Sequence, residues 1–544
     1  MPELVLGPVL RHVDDTSATV WVEAGAPCTV DVLGCTERTW CVAGHHYALV
    51  CIAGLAPGGS TPYEVRLDGE LAWPPADSPH PPSRIRTIDP ERPLRLAFGS
   101  CRYASPESMD GKGRFGADAL DTYSSRMAGT PEEQWPDALL LLGDQVYADE
   151  TSPRTRAVIR RRRDTSTPPY AEVADFEEYT TLYHESWKDP QVRWLMSTVP
   201  TSMIFDDHDV HDDWNTSHEW RLDAARTSWW EERITGALMS YWIYQHLGNL
   251  HPDALAEDGL YQKVRSAGDA EPLLRDFAQA ADREADGEKG ARWSYRRDFG
   301  RVRLLVIDSR CGRILADDER SMISESEFRW ISSQVDGQYD HLLIGTSLPW
   351  LLPRAVHDLE SWDEALCRAE RPAWMRRLGE KIRRGADMEH WAAFRASFDR
   401  LAELLARVGR GEHPGSDRPP ATVCVLSGDV HHAYVAEAHY PSPVDSRVYQ
   451  LVCSPIHQGV PRSMRLGFRL GWSRAAESVA RLVGRTAPVP PLPLSWDRLA
   501  GPFFGNQIAT ITLDGRTARF HLEGASAPDD QPARMTPLAD LPLT

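Results

Sequence analysis

Six short apolar runs in this chain each stop at a polar cluster. They read LRLAFGSC, DALLLLGDQVYAD, TSMIFDDHD, VRLLVIDSR, HLLIGTSLPW and VCVLSGDVHH. Each is rich in Val, Ile, Leu and Phe and short enough to read as a buried strand. Strands that alternate with helical stretches predict crossover units and a parallel sheet. In such sheets chemistry collects beyond the carboxyl ends of the strands. Groups hundreds of residues apart in the sequence can therefore share one rim.

Composition limits what that rim serves. A chain of 544 residues predicts two or three domains, and 42% apolar residues with 19 Trp supply a large core. The net charge of −19 argues against a general nucleic-acid binder, which needs a basic face. A phosphate-ester substrate stays compatible with it, because bound cations reverse the local sign. No run of about 18 apolar residues is present, so no transmembrane segment is expected. The start, MPELVLGPVLRHVDD, has neither the charged region nor the long apolar stretch of a signal peptide, and a cytoplasmic protein is expected. The nine cysteines are scattered, with no pair at zinc-finger spacing.

Residues 1–88 alternate apolar and polar positions across short turns and predict a small all-β sandwich. The Pro-rich stretch before Leu94 reads as a stiff linker. Residues 94–524 then alternate strands with helices. The stretch WWEERITGALMSYWIYQHL predicts an amphipathic core helix, and residues 251–290 predict surface helices and loops. The basic stretch 462–485 suits either a membrane surface or a lid packed on the domain. Residues 525–544 predict a loosely held tail.

The clusters carry the chemistry. In GDQVYAD, Gly143 permits a sharp strand exit and Asp144 can bridge two cations. Tyr147 can reach the same space, though a phenol must lose its proton to ligate, which a strongly Lewis-acidic ion favours. The density of acids in FDDHDVHDD calls for a cationic counter-charge. There Asp207 is the expected ligand, and His208 the expected proton donor, oriented by Asp209. Asp429 and His431 are two apart, so in an extended segment both face one side. His432 then points away and is structural. Cys101 alone reads as a buried hydrophobe, but beside Asp144 and Tyr147 it reads as a thiolate ligand. Thiolate, phenolate and carboxylate suit Fe3+, while a neighbouring site of carboxylates and an amide suits Ca2+ or Mg2+. Arg310, after VRLLVID, either grips phosphate oxygens or pairs with Asp308.

Together FGSC, GDQVYAD, FDDHD, the D-S-R strand and SGDVHH resemble the PhoD-like alkaline phosphatases, within the calcineurin-like metallophosphoesterase superfamily. The resemblance spans residues 94–515, and the first 85 residues look like the amino-terminal β-domain of such proteins. It implies an α/β fold, a four-layer αββα sandwich with helices flanking two central sheets. It implies Fe3+ and Ca2+ at the strand ends, with Mg2+ or Mn2+ in place of Ca2+. On that basis Asp144 matches the bridging aspartate, and Cys101 and Tyr147 match the iron-side ligands. Asp207 replaces the asparagine of the superfamily's G-N-H-D motif, with His208 and Asp209 following it. Asp429 and His431 fall at its G-H-x-H, while its D-x-H is replaced here by S-C. The implied activity is hydrolysis of phosphate mono- or diesters by a metal-bound hydroxide, with Arg310 steadying the charge. The alternative is a non-catalytic relative that binds a phosphorylated ligand or partner. A serine hydrolase is disfavoured, because no G-x-S-x-G elbow is present.

Overall fold

The computed structural model describes residues 2–104, 114–286, 291–368, 370–527 and 531–544. All six apolar runs are strands: Leu94–Gly99, Ala138–Leu142, Thr201–Ile204, Val302–Ile307, His341–Thr346 and Thr422–Ser427. They fall into two sheets. In one, Thr201–Ile204, Ala138–Leu142 and Leu94–Gly99 lie parallel, continued antiparallel by Gln507–Asp514, Thr517–Ser526 and Arg534–Pro542. In the other, Val302–Ile307, His341–Thr346, Thr422–Ser427 and Arg447–Val452 are parallel. Tyr295–Phe299 flanks them on one side, Ala433–His439 and then Ser495–Phe503 on the other, each antiparallel to its neighbour.

Alternation along the second sheet shows what it lies between. Leu304, Val306, Leu343, Cys424 and Leu426 share a core with Leu96, Phe98 and Leu140 of the first sheet. The intervening Leu305, Ile307, Leu342, Ile344, Val423 and Val425 pack with Phe398, Leu401 and Leu405 of the helix Arg395–Gly409. Strand periodicity of two thus gives this sheet two apolar faces.

The amino-terminal region is all β. Two four-stranded antiparallel sheets enclose Val20, Val22, Val30, Val32, Val50 and Val65. This region is tied firmly to the rest. Arg11 is 1% exposed and donates to the carbonyls of Tyr244 (2.9 Å) and Gln245 and to Asn249 Oδ1 (3.1 Å). Glu23 accepts from His184 Nε2 at 2.9 Å and Tyr244 Oη at 3.1 Å, and lies 3.0 Å from His45 Nδ1, whose Nε2 is 2.9 Å from Glu177.

That network makes the junction sensitive to pH. Burial disfavours charge on His45, yet Glu177 and Glu23 outweigh it and raise its pKa from 6.5 to about 9. Glu23 is pulled from 4.5 to about 2 by His184 and His45, against burial. The histidine's contribution is complete below its unfolded value and is lost as pH rises through the folded one. The carboxylate's is complete above about 4.5 and is lost on acidification. Unfolding followed against pH should therefore show the His45→Gln penalty at pH 6, of about 1–2 kcal/mol after solvent screening, and little penalty at pH 9.5. A penalty independent of pH would show that His45 carries no charge there.

One expectation changes. The expected tail 525–544 is an edge strand over Arg534–Pro542, in register with Arg519–Ser526; residues 528–530 of it lie outside the described residues. Burial alternates only over Leu538–Pro542, a run too short to stand out among the Pro and Asp residues around it. The stretch 251–290 is helical at Pro252–Glu257, Gly259–Ser266 and Glu271–Asp282, its residues 287–290 lying outside the described ones. The basic stretch forms helices Arg462–Gly471 and Arg474–Gly484. Phe468 stacks on His432 at 4.5 Å between ring centroids, and Trp472 meets Tyr434 edge-on at 5.1 Å. His432 therefore anchors these helices. Among the described residues, no helix is long and apolar enough to cross a membrane.

Candidate metal centre

The parallel strands of both sheets deliver their carboxyl ends to one place. Gly428 shows how tightly: a Cβ there would lie 1.9 Å from Ser100 Oγ, at the end of a strand in the other sheet. Gly143 is equally constrained, with φ +103° and a would-be Cβ 2.6 Å from Asp206 Cβ. Cys101, Asp144, Asp429 and His431 take left-handed backbone, with φ of 57°, 51°, 63° and 50°. Each such residue costs on the order of 1–3 kcal/mol, and such strain gathers at functional sites. It also corrects one sequence expectation: the Asp429–His431 segment is a tight turn, with His431 N–H donating to Asp429 O at 2.6 Å, and is not extended.

Two donor groups share one residue. One atom each from Cys101, Asp144 and His431 lie within 4.8 Å of one another, and so do atoms from Asp144, Asp206 and Asp207. Asp144 Oδ1 is buried without a hydrogen-bond partner. Burial first, then neighbouring carboxylates, push Asp144 and Asp206 well above the usual carboxylate range. Burial and Asp144 likewise raise the Cys101 thiol and the Tyr147 phenol well above their ordinary values. Tyr147 packs its ring 4.7 Å from that of His208. A cation reverses each of these penalties, so the donor set fits metal ions. The mixed sulfur, nitrogen and oxygen group fits a Lewis-acidic transition metal, and the carboxylate group fits a hard divalent ion.

His208 sits at the edge, its side chain 22% exposed, with Nδ1 3.0 Å from both Asp149 oxygens. Burial opposes charge on this imidazole, but Asp149, Asp207 and Asp144 outweigh it and hold its pKa well above the usual value. Asp149 is the partner that sequence reasoning gave to Asp209. Asp209 instead accepts the backbone N–H of Asp144 (3.0 Å), Asp206 (2.9 Å) and Val146 (3.3 Å), and the Gln245 amide at 3.3 Å. It staples two strand-end loops together. Burial lifts its pKa to about 7.

Arg310 is the third correction. It is fully buried and donates to Asp206 Oδ1, to Glu389 Oε1 at 2.7 Å and to the Trp214 carbonyl at 3.3 Å, with Asp207 Oδ1 at 3.2 Å. A guanidinium so committed is unavailable to a phosphate. Asp308, the partner considered for it, accepts the backbone N–H groups of Arg310, Cys311 and Gly312. Asp429 stands beside the two donor groups and outside them, its Oδ2 3.0 Å from His390 Nε2, whose Nδ1 is 2.8 Å from Glu360. Asp149, Asp206, Glu360, Glu389 and His390 were missed. Asp149 and Asp206 lie inside quoted motifs, whereas MEHW (Met388–Trp391) follows no strand and carries no comparable signal.

The solved structure of PhoD superposes with TM-score 0.57 at 13% identity, covering 99% of this chain and 90% of that one, a likeness of fold. A search of the curated proteins gives no match. Residues 1–85 match a family described as a domain of unknown function, DUF7800. Residues 119–483, about two thirds of the sequence, match the PhoD-like phosphatases, so with five strands delivering these clusters to one rim, the chain belongs to the PhoD-like phosphatase family.

Proposed function

We propose that this protein is a metal-dependent hydrolase of phosphate mono- or diesters, with a four-layer αββα order around its strand-end site. The reading rests on Asp144, which belongs to both donor groups and has a buried oxygen, Oδ1, with no hydrogen-bond partner. Cys101, Tyr147, Asp144 and His431 would hold Fe3+. Asp144, Asp206 and Asp207, with Asp429 alongside, would hold Ca2+, or Mg2+ or Mn2+ in its place. When bound, such ions acidify water and polarise phosphoryl oxygens.

The chain's own residues do the rest. The Cys101 and Asp429 turns, fixed by Gly143 and Gly428, hold the donors in place before substrate arrives. Asp209 keeps the loops bearing Asp144 and Asp206 in register. His208, protonated and steadied by Asp149, supplies a proton to the departing alkoxide. A leaving group that needs no proton gains little from it, and a basic one gains much.

Hydrolysis of mono-, di- and triester substrates, measured with metal content, tests this. His208→Gln should lower turnover of p-nitrophenyl esters about tenfold and of alkyl esters by roughly 10²–10⁴. Equal losses on both leaving groups would remove His208 from proton transfer. A metal-replete protein inert toward every ester would sink the hydrolase reading.

A further inference from the structure

The first strand of the amino-terminal sheet, Leu4–Val13, ends beside the segment that opens the helix Pro252–Glu257. His12 and Asp14 come from one side of that junction and His251 from the other. Nε2 of His12 is 3.5 Å from Asp14 Oδ2, and Nε2 of His251 is 3.3 Å from the same oxygen. The two rings meet edge-on, with centroids 4.8 Å apart. One donor atom from each residue lies within 4.8 Å of the other two. Ligands at about 2.1 Å on a tetrahedral ion stand about 3.4 Å apart, so these spacings suit a single ion.

His12 is 6% exposed, and its ring nitrogens make no hydrogen bond, the Asp14 oxygen lying at the limit of bonding distance. Arg297 does not supply one, since its guanidinium donates to the carbonyls of Arg11 (2.9 Å) and Gly248 (2.8 Å).

We propose that His12, Asp14 and His251 form a binding site for a Zn2+-class cation that clips the amino-terminal β-domain to the catalytic domain. Two imidazoles and one carboxylate favour Zn2+, Co2+ or Ni2+ over Ca2+ and Mg2+. Three protein ligands leave one position for water. None of the three belongs to the strand-end donor groups.

The protonation states fit. Burial, with Arg297 nearby, pushes the His12 pKa down to about 4, so its lone pair is free at neutral pH. Asp14 is already anionic: Oδ1 accepts the N–H groups of Thr16 (2.8 Å) and Ser17 (2.6 Å), and Oδ2 accepts the Ser17 hydroxyl at 2.6 Å. His251 Nδ1 accepts the Asp253 N–H at 3.1 Å, which leaves the ring proton on Nε2, facing Asp14. Binding at Nε2 moves that proton to Nδ1, where Asp253 Oδ2 stands 3.5 Å away to receive it. The helix cap is exchanged for a carboxylate hydrogen bond of the kind that orients metal-bound histidines. No proton is lost overall.

The test compares the full chain with His251→Ala, in which a side chain already 45% exposed is removed. After dialysis against micromolar ZnCl2, the parent should hold one more Zn2+ per chain than the variant. Zn2+ should raise the Tm of the parent by a few degrees and leave that of the variant unmoved. Asp14→Asn keeps an oxygen for the turn and loses the charge; it should weaken Zn2+ uptake at least tenfold. With Co2+ as the ion, the visible absorption of a tetrahedral site should be weaker in His251→Ala. Equal Zn2+ content and equal Tm response in parent and His251→Ala would overturn the proposal.

Discussion

Replacing Asp144 by asparagine should strip the protein of bound metal and lower phosphate-ester turnover by about 10³-fold or more. The two donor groups have only this carboxyl in common, so both lose a ligand at once. Asparagine offers a single neutral oxygen and sets a donating NH2 where a second acceptor was needed. The fold should survive. Asn tolerates left-handed backbone as Asp does, here at φ 51°, and the Asp144 N–H keeps its bond to Asp209. A second signature separates this from plain damage. In chelator-treated protein, removing one carboxyl from a buried acidic cluster relieves repulsion, so the metal-free variant should melt at or above the parent's temperature. Added metal should stabilise the parent and leave the variant unmoved. Full metal content with undiminished turnover of bis-p-nitrophenyl phosphate would end the two-group reading.

What the sequence discloses about this site follows from where its residues lie relative to strands. Cys101, Asp144 and Asp207 come within a few residues of a strand's last apolar position, and His431 within four of Ser427, so the abrupt end of an apolar run betrays them. Asp206, adjacent to Asp207, was passed over, yet both reach the same donor group. Glu360, Glu389 and His390 reach the centre from helical and loop segments, where hydrophobic periodicity says nothing about direction. Pairings are less legible still. Asp209 follows His208 directly, yet Asp149, 59 residues away, holds the imidazole. Adjacent residues on a turn diverge, and only the fold brings the second loop into reach. The left-handed Asp429 and His431 were invisible for a related reason: an Asp visits positive φ only at some positions and a His rarely, so neither marks such a turn as a glycine would.

Arg310 shows the largest gap between the two views, and replacing it should have the largest effect on stability. Its guanidinium is fully buried among Asp206, Asp207 and Glu389. Arg310→Met should cost about 3–5 kcal/mol, because it leaves three carboxyls buried without their cation. Glu389, held by Arg310 and Arg313 against burial at about 2, should then titrate much higher. Arg310→Lys should recover only part, since a point charge cannot span three carboxylates as a planar fork does. Metal should change the size of the loss: ions at Asp206 and Asp207 replace some of the missing charge, so the penalty should be greater in chelator than in loaded protein. An arginine that grips substrate would behave otherwise, raising KM for phosphate esters while unfolding stayed the same. Denaturant unfolding with and without chelator, beside KM for a diester, separates the two. Unchanged stability with a raised KM would return Arg310 to the substrate and undo the ion-pair account.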